Sequence, residues 1–503
     1  MDFLVFLIVI FLFFILFVLF WVPFFNLGVY FFEWDFLSLK LVFDFKSFIF
    51  SVVLFLVVIS VVFYGSYYLS GELNFVYYNF VLMVFVFSML FLSLSGSAFT
   101  VMLSWDLLGI SSFFLVLYYN NWDSNSGAMN TALTNRLGDF FMFVFFSSSL
   151  FSGLYFFSYS YLVLGFFVLM LLSSFTKSAQ FPFSSWLPKA MSAPTPVSSL
   201  VHSSTLVTAG LILLMNFGFI ILNFYFMFIM LVAGLFTMFF SSVLAVFEED
   251  VKKVVALSTL SQMGFMMLTL GLGLHFVSFL HLLSHALFKS CLFMQIGYLI
   301  HNSFGQQDVR FYGNNGGLPL FVQVQCLVTL FCLCGLVFTS GMVSKDLILE
   351  CFLSNDYFLF FFVVCSFCFL TFCYSYRLWS SFLVSFSKVV CSVDGSLLMS
   401  FFLSLVLVFF SVTFIYWMSL NLICLPSLFL FMEFFCLFLC FLIFLVLFFM
   451  SCFLELSYKF FVDYFNSYFQ SYGLMWSFSF GLMKFGYNFY YLMSFFSKFF
   501  KCL

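Results

Sequence analysis

Residues 276–300 read FVSFLHLLSHALFKSCLFMQIGYLI, a stretch whose one formal charge is Lys289. As an α-helix this run rises about 37 Å, more than the roughly 30 Å of hydrocarbon in a bilayer. It is not uniformly apolar. His281, His285 and Lys289 recur every fourth residue and therefore share one stripe of the helix, with about 6 Å of rise between neighbours. A charge at the bilayer centre costs at least ~2.5–3.5 kcal/mol and normally faces the bundle interior. The stretch thus implies a membrane-spanning helix together with neighbours that shield it.

The rest of the chain has the same character. Of its 503 residues, 65% are hydrophobic and 7% charged, with a mean hydropathy of +1.22. A soluble domain carries roughly 25% charged residues, so most of this surface must face lipid. About 14 candidate spans follow one another: 3–22, 46–69, 75–95, 98–119, 129–150, 154–178, 197–218, 220–246, 252–272, 276–300, 320–340, 343–382 with an internal break, 399–418 and 421–450. Lipid offers no partner to unpaired backbone groups, and the alternating pattern of a barrel strand is absent, so the predicted fold is all-α. The first span, Met1–Trp21, lacks a basic leader, a small-residue cleavage site and an Arg-rich amphipathic pattern, and is expected to be retained. Lys252, Lys253 and Arg310 are candidates for one side of the membrane.

Other features exclude function classes. The net charge of −3 implies no nucleic-acid partner. The 14 cysteines are scattered through apolar runs, including Cys332, Cys334 and a Cys365–Cys368 pair. They read as small buried hydrophobes rather than cluster ligands or disulfides, and no metal site is expected. There is no glycine-rich dinucleotide fingerprint and no P-loop, so no nicotinamide, flavin or nucleotide should bind here. The 95 phenylalanines exceed what helix packing needs and point to a T-rich organellar genome. Beyond Cys452, Phe460, Phe461, Tyr464, Phe465, Tyr468 and Phe469 repeat at helical spacing opposite Lys459, Asp463, Asn466, Ser467 and Gln470. This pattern predicts an amphipathic helix along a membrane surface or neighbouring subunit, with a last transmembrane helix as the alternative.

Four groups of polar residues inside the membrane carry the functional reading. Asp106 sits well inside an apolar span and is expected to be buried. Arg136 and Asp139 are three residues apart and can pair on one helix face. Lys177 precedes Pro182, Pro188, Pro194 and Pro196, four of the chain's seven prolines. Proline interrupts helices, and transporters place ion sites at such breaks. The bland alternative is a solvated lysine in a plain loop. The His281–His285–Lys289 stripe is the third group. Imidazole titrates near neutral pH, and burial makes a lysine's proton easier to release. The stripe therefore suits a proton relay through water, against the alternatives of a buried structural network or a zinc pair. A zinc protease would need Glu where Leu282 stands. Lys345 is the fourth, beside the Ser340-Gly341 break and followed by Asp346 and Glu350. Two lysines at two helix interruptions, one per half, are what an internal repeat would give.

These residues also resemble a known family. Residues 173–207, SSFTKSAQFPFSSWLPKAMSAPTPVSSLVHSSTLV, are similar to the signature of the antiporter-like membrane subunits of respiratory complex I, the NADH–ubiquinone oxidoreductase. Lys252-Lys253 with Ser258-Thr259 and Ser261-Gln262-Met263-Gly264, His281 through His301, Gln307-Asp308-Val309-Arg310 and Ser344-Lys345-Asp346 match further blocks, over about residues 100–380. The phenylalanine excess resembles nematode-like organellar proteins. The resemblance implies two inverted repeats with discontinuous helices and a lateral helix clamping neighbouring subunits, for which 454–471 is the candidate. The chain looks like a shortened member lacking one N-terminal helix. Its expected divisions are N-terminal helices over 1–96, a proton-translocating core over 97–382 (repeats 97–246 and 247–382), further helices over 383–451 and the tail over 452–503.

The family usually has Glu where Asp106 stands and Glu-Gly where Ser192-Ala193 stands. The implied function is proton translocation coupled to NADH-to-ubiquinone electron transfer carried out elsewhere. Asp106, Lys177, His202, His281, His285, Lys289, Lys345 and Asp346 would be the relay, with Arg136, Asp139, Lys253 and Glu350 in support. FMN, iron–sulfur clusters and ubiquinone are expected in partner subunits. The implied partners are other membrane-arm subunits, above all a neighbouring antiporter-like chain, and lipids. The implied location is the mitochondrial inner membrane, with the chain made inside the organelle. A stand-alone monovalent cation/proton antiporter and a purely structural anchor are the competing readings.

Overall fold

The computed structural model describes residues 27–34, 37–151, 164–217, 224–303, 305–309, 312, 320–335, 339–341, 344–345, 348, 358–383 and 407–413. The first span, the 421–450 span, the amphipathic tail, Arg310, Asp346 and Glu350 lie outside these residues.

Within them the chain is mainly helical, with one departure from the all-α expectation. Strands β1 (Leu27–Trp34) and β2 (Leu37–Phe43) pair antiparallel, with a register shift between Tyr30 and Phe32. The segment Leu37-Ser38-Leu39-Lys40-Leu41 alternates with period two, a strand signal too short to register among the apolar spans. The hairpin is pinned to the loop between the second and third helices, where Val42 N donates to Leu94 O at 2.8 Å and Gly96 N donates to Lys40 O at 2.9 Å.

The helices are α1 (Phe45–Tyr68), α2 (Phe75–Ser93), α3 (Ala98–Val116), α4 (Trp122–Phe151), α5 (Leu164–Lys177), α6 (Thr195–Leu200), α7 (Leu206–Asn216), α8 (Phe224–Phe247), α9 (Val251–Gly271), α10 (His275–Asn302), α11 (Leu320–Cys334) and α12 (Phe358–Leu383). Seven helical stretches among the described residues are long and apolar enough to cross a membrane. Several match the sequence-derived spans within a residue or two, among them α1, α9 and α10. Helix α4 starts earlier than the 129–150 span because the polar run from Trp122 joins the helix.

α9 and α10 form the centre, buried almost throughout. α8 lies against α9 through glycines. A Cβ at Gly234 would stand 2.7 Å from Leu268 N, and one at Gly271 would stand 2.7 Å from Leu231 N, so any side chain there forces the helices apart. The seam matters for function because α9 lends its polar side chains to the charged stripe of α10.

Two helices break in the middle of the bundle. α5 ends at Lys177, and Ala179 adopts a left-handed φ of 54°. A short helical turn, Trp186–Lys189, follows before α6 begins at Thr195. α6 then runs into α7 through a π-helical turn, Val201–Thr205, that carries His202. α11 ends at Cys334, and Gly335 follows with a φ of +76° that favours glycine. Arg377 of α12 donates to the carbonyls of Ala245 and Val246, satisfying the C-terminal end of α8.

Candidate functional site

Lys177 is the last residue of α5 and is fully buried. Its Nζ donates to the carbonyl of Trp105 at 2.6 Å and stands 3.9 Å from the centre of the Trp105 ring. The break after Lys177 is held by Trp186, whose indole N–H donates to Thr176 O at 3.0 Å.

The carboxylates near Lys177 are arranged differently from the expectation. Asp106 was expected to be buried, yet its side chain is 36% exposed. α3 packs by the face of Trp105 and Leu108, which leaves Asp106 among the outward Leu103, Leu107, Ile110 and Phe114. There Arg136, 60% exposed, approaches it at 3.8 Å and pairs with Asp139 at 3.0 Å. Asp139 is the buried member, and its field bears on the Lys177 charge more strongly than that of Asp106. Its Oδ1 has no hydrogen-bond partner among the described residues.

The α10 stripe forms as the spacing predicts. His281, His285 and Lys289 are all buried. Lys289 Nζ donates to Ser258 Oγ at 2.5 Å, and His281 Nε2 lies 3.2 Å from Gln262 Oε1. Ser258 and Gln262 are one helical turn apart on α9, so they match the stripe step for step. The rings of His281 and His285 are 6.5 Å apart. At the other end, His281 Nδ1 lies 2.7 Å from Ser344 Oγ. The next residue, Lys345, is buried and donates to the last carbonyls of α11, Leu333 O at 2.8 Å and Cys334 O at 3.0 Å.

His202 and His285 are buried with neither ring nitrogen bonded to a described residue, and Gln262 Nε2, Ser340 Oγ and Tyr374 Oη are likewise without a partner among the described residues. Buried polar atoms in native interiors are nearly always bonded to protein or ordered water. Such atoms mark places where ordered water would complete the bonding.

A cavity of about 550 Å³ enters the bundle from the end that carries Glu248 and Lys252. One wall is the α8 stripe Thr237, Ser241, Leu244 and, just past the helix end, Glu248, a depth of about 16 Å. At its floor, Thr237 Oγ1 donates to Gln180 Oε1 at 2.7 Å, three residues past Lys177. At its rim, burial raises the Glu248 carboxyl above the ordinary range, with Lys253 opposing. Lys253 pairs with Glu248 at 3.7 Å and with Asp250, and so sits on the rim rather than in the relay. Lys252 is the buried neighbour, with Nζ 3.4 Å from Ala193 O, beside the Ser192-Ala193 pair.

Sequence reasoning placed Ser258, Gln262 and Ser344 in matched blocks without giving them a role, and assigned none to Trp105, Thr237 or Gln180. Trp105 adjoins the flagged Asp106, and the i, i+4 spacing of Ser258 and Gln262 was available as a signal. The Thr237–Gln180 bond is long-range and left none.

Lysines at two helix breaks, together with a buried stripe of two imidazoles and a third lysine in a lipid-facing bundle, define an antiporter-like ion-translocating membrane subunit. The profile described as "NADH:quinone oxidoreductase/Mrp antiporter, TM" matches residues 95–371. Curated proteins named NADH-ubiquinone oxidoreductase chain 5 match closely. The one from Caenorhabditis elegans is 66% identical over 82% of this chain and 79% of its own length, and the one from Ascaris suum is 65% identical over 82% and 75%. The chain belongs to this family, that of NADH-ubiquinone oxidoreductase chain 5. Among solved structures, a chain of the Mrp complex from a Dietzia species aligns with a TM-score of 0.67 at 23% identity, covering 82% of this chain and 53% of that one. A chain of the archaeal membrane-bound sulfane sulfur reductase aligns with a TM-score of 0.72 at 18% identity, covering 82% and 89%. Both share the fold.

Proposed function

We propose that this chain is a proton-translocating membrane subunit of NADH–ubiquinone oxidoreductase, placed in the mitochondrial inner membrane beside other membrane-arm subunits. The FMN, iron–sulfur clusters and ubiquinone belong to partner subunits, and no redox chemistry occurs in this chain. The observation that carries the reading is the buried row His281–His285–Lys289, bonded to Ser258, Gln262 and Ser344 yet leaving imidazole nitrogens open to water.

In this reading the cavity beneath Glu248 admits protons from one side. Lys177 receives them beyond the inner end, three residues from the Gln180 that accepts from Thr237 on the cavity wall, with Asp139 and, farther out, Asp106 setting its charge. Moving an opposite charge toward or away from an ammonium shifts its proton equilibrium, each tenfold change being about 1.4 kcal/mol. Arg136 suits the task because it touches both carboxylates. His202, His285 and His281 then pass protons laterally, Lys289 holds one in reserve, and Lys345 with Asp346 or Glu350 releases them. We read the two breaks, at Lys177 and beside Lys345, as equivalent points of two inverted repeats over 97–246 and 247–382, and 454–471 as the lateral helix.

Lys177→Met and His285→Ala variants are expected to assemble into the complex and lose coupled pumping. Measuring protons translocated per NADH in reconstituted complex decides the matter, since a normal ratio in both variants removes these residues from the path. Co-purification with other subunits separates this function from a stand-alone antiporter.

A further inference from the structure

A second polar string, apart from the cavity under Glu248, leads inward from the same end of the bundle. His301, near the C-terminus of α10, is half-buried. Its Nδ1 lies 3.3 Å from Tyr67 Oη, and its ring packs against Tyr67 and Tyr68 with centres 5.1 and 5.7 Å apart. Tyr68 packs on Tyr64 at 5.8 Å. Tyr64 is buried, and its Oη lies 3.2 Å from Thr195 Oγ1; the Tyr68 hydroxyl faces the same threonine. Gly297, one turn before His301, gives the pair its seat, because a Cβ there would stand 2.7 Å from Thr195 Oγ1.

Thr195 opens α6, and Ser199 and His202 follow it at i+4 and i+7 on the same stripe. The string's hydrogen bonds are His301–Tyr67 near the surface and Tyr64–Thr195 inside, and about 10 Å farther along the same stripe stands His202, buried with both nitrogens unbonded among the described residues. Packing does not require this chemistry. Phenylalanine, abundant elsewhere in this chain, would fill the positions of Tyr64 and Tyr67 equally well, and a buried hydroxyl costs free energy unless it is bonded.

We propose that His301, Tyr67, Tyr68, Tyr64 and Thr195 form a separate proton-uptake branch that loads His202. The proposal rests on the translocating function above. A proton taken up on the free nitrogen of His301 displaces the Nδ1 proton onto Tyr67 Oη. Each hydroxyl in turn accepts a proton on oxygen and releases its own, with water carrying the proton from Tyr67 to Tyr64 and from Thr195 to His202, and the ring and hydroxyls then turn back. One proton enters, one reaches a His202 nitrogen, and no electron moves.

The test uses assembled complex in liposomes. Tyr64→Phe and Tyr67→Phe keep the rings and remove the hydroxyls. Each is expected to lower protons translocated per NADH at least twofold at equal complex content, while Tyr77→Phe on the outer face of α2 has no effect. Thr195→Val should behave like Tyr64→Phe and Thr195→Ser like wild type, a split that a structural role would not produce and that remains readable if a tyrosine variant fails to assemble. A wild-type ratio in Tyr64→Phe, Tyr67→Phe and Thr195→Val, with Lys177→Met inactive, overturns the branch alone. A wild-type ratio in Lys177→Met as well overturns the function on which the branch rests.

Discussion

The α8–α9 seam ties the fold to the site, and Gly264→Ala tests that tie. A Cβ at position 264 would meet Thr237 Oγ1 first and would lie 2.7 Å from Met238 N and 3.0 Å from Gly234 O. Atoms of this kind settle near 3.5 Å; the threonine hydroxyl can turn away but the two backbone atoms cannot, so α9 must shift by roughly 0.5–1 Å. Overpacking of this kind costs about 1–3 kcal/mol. The same helix carries Ser258, 2.5 Å from Lys289, and Gln262, 3.2 Å from His281. A shift of that size breaks or strains both contacts, and a lost hydrogen bond to a charged group adds about 1.5–3 kcal/mol. Gly264→Ala complex should therefore lose roughly 2.5–6 kcal/mol of stability in total, unfold at a lower temperature and pump fewer protons per NADH. Gly109→Ala is the control, since its Cβ would meet nothing closer than Asn135 Nδ2 at 4.0 Å, and a mid-helix alanine gains up to ~1 kcal/mol. Thermal denaturation of purified complex, alongside proton counting, decides between them. If Gly264→Ala melts and pumps like wild type, or Gly109→Ala is equally damaged, the seam does not hold the stripe in place.

Ser258→Ala strips the hydroxyl at 2.5 Å from Lys289, a loss of about 1.5–3 kcal/mol, and should slow proton transfer more than tenfold; unchanged pumping rates would show that this bond has no part in the relay. Trp105→Leu removes the ring 3.9 Å from the Lys177 ammonium but keeps the carbonyl. A desolvated cation–π contact is worth ~2 kcal/mol, so pumping should fall by about thirtyfold, less than in Lys177→Met, with Trp105→Phe recovering most of it. Equal rates for the Leu and Phe variants would leave the ring without a role. Glu248 carries a proton affinity raised by burial and opposed by Lys253. A carboxyl raised in the folded state contributes most to stability below the ordinary carboxylate range and loses that contribution as pH climbs through the raised value. Glu248→Gln should thus gain on wild type in thermal stability as pH rises above the ordinary carboxylate range; a difference that stays flat or shrinks with pH would contradict the burial argument.

The class of fold was legible from composition alone, because 7% charge cannot cover a soluble protein of this length. The interior stripe was legible because helical periodicity is rigid: residues four apart must share a face, and His281, His285 and Lys289 do. The hairpin was missed because five alternating residues are a faint signal beside spans of twenty. Asp106 was misplaced for a different reason. Depth along a helix can be read from flanking residues, but rotation about its axis depends on which neighbours pack there. Trp105 points inward and its neighbour therefore points out. The Thr237–Gln180 contact and the string from His301 to Thr195 join residues far apart in sequence, and nothing in local spacing announces them.

The two lysines show why the helix breaks accompany the charges. A buried ammonium needs acceptors, and a carboxylate partner would hold the proton in place. Backbone carbonyls are strong acceptors without a full charge, yet inside an intact helix most are already committed to the i+4 amide. Breaking a helix releases its last carbonyls. Lys345 uses this supply directly, donating to Leu333 O and Cys334 O where α11 stops. Lys177 sits on the broken end itself and borrows the carbonyl of Trp105 from the intact α3, with the indole face adding to the hold. Lys177 is thus held by dipoles, the Trp105 carbonyl and the indole face, and Lys345 by the two carbonyls that end α11. In the proposed relay a carboxylate moving nearby would tip the balance at Lys177, and Arg136, which reaches both Asp139 and Asp106, is placed to move it.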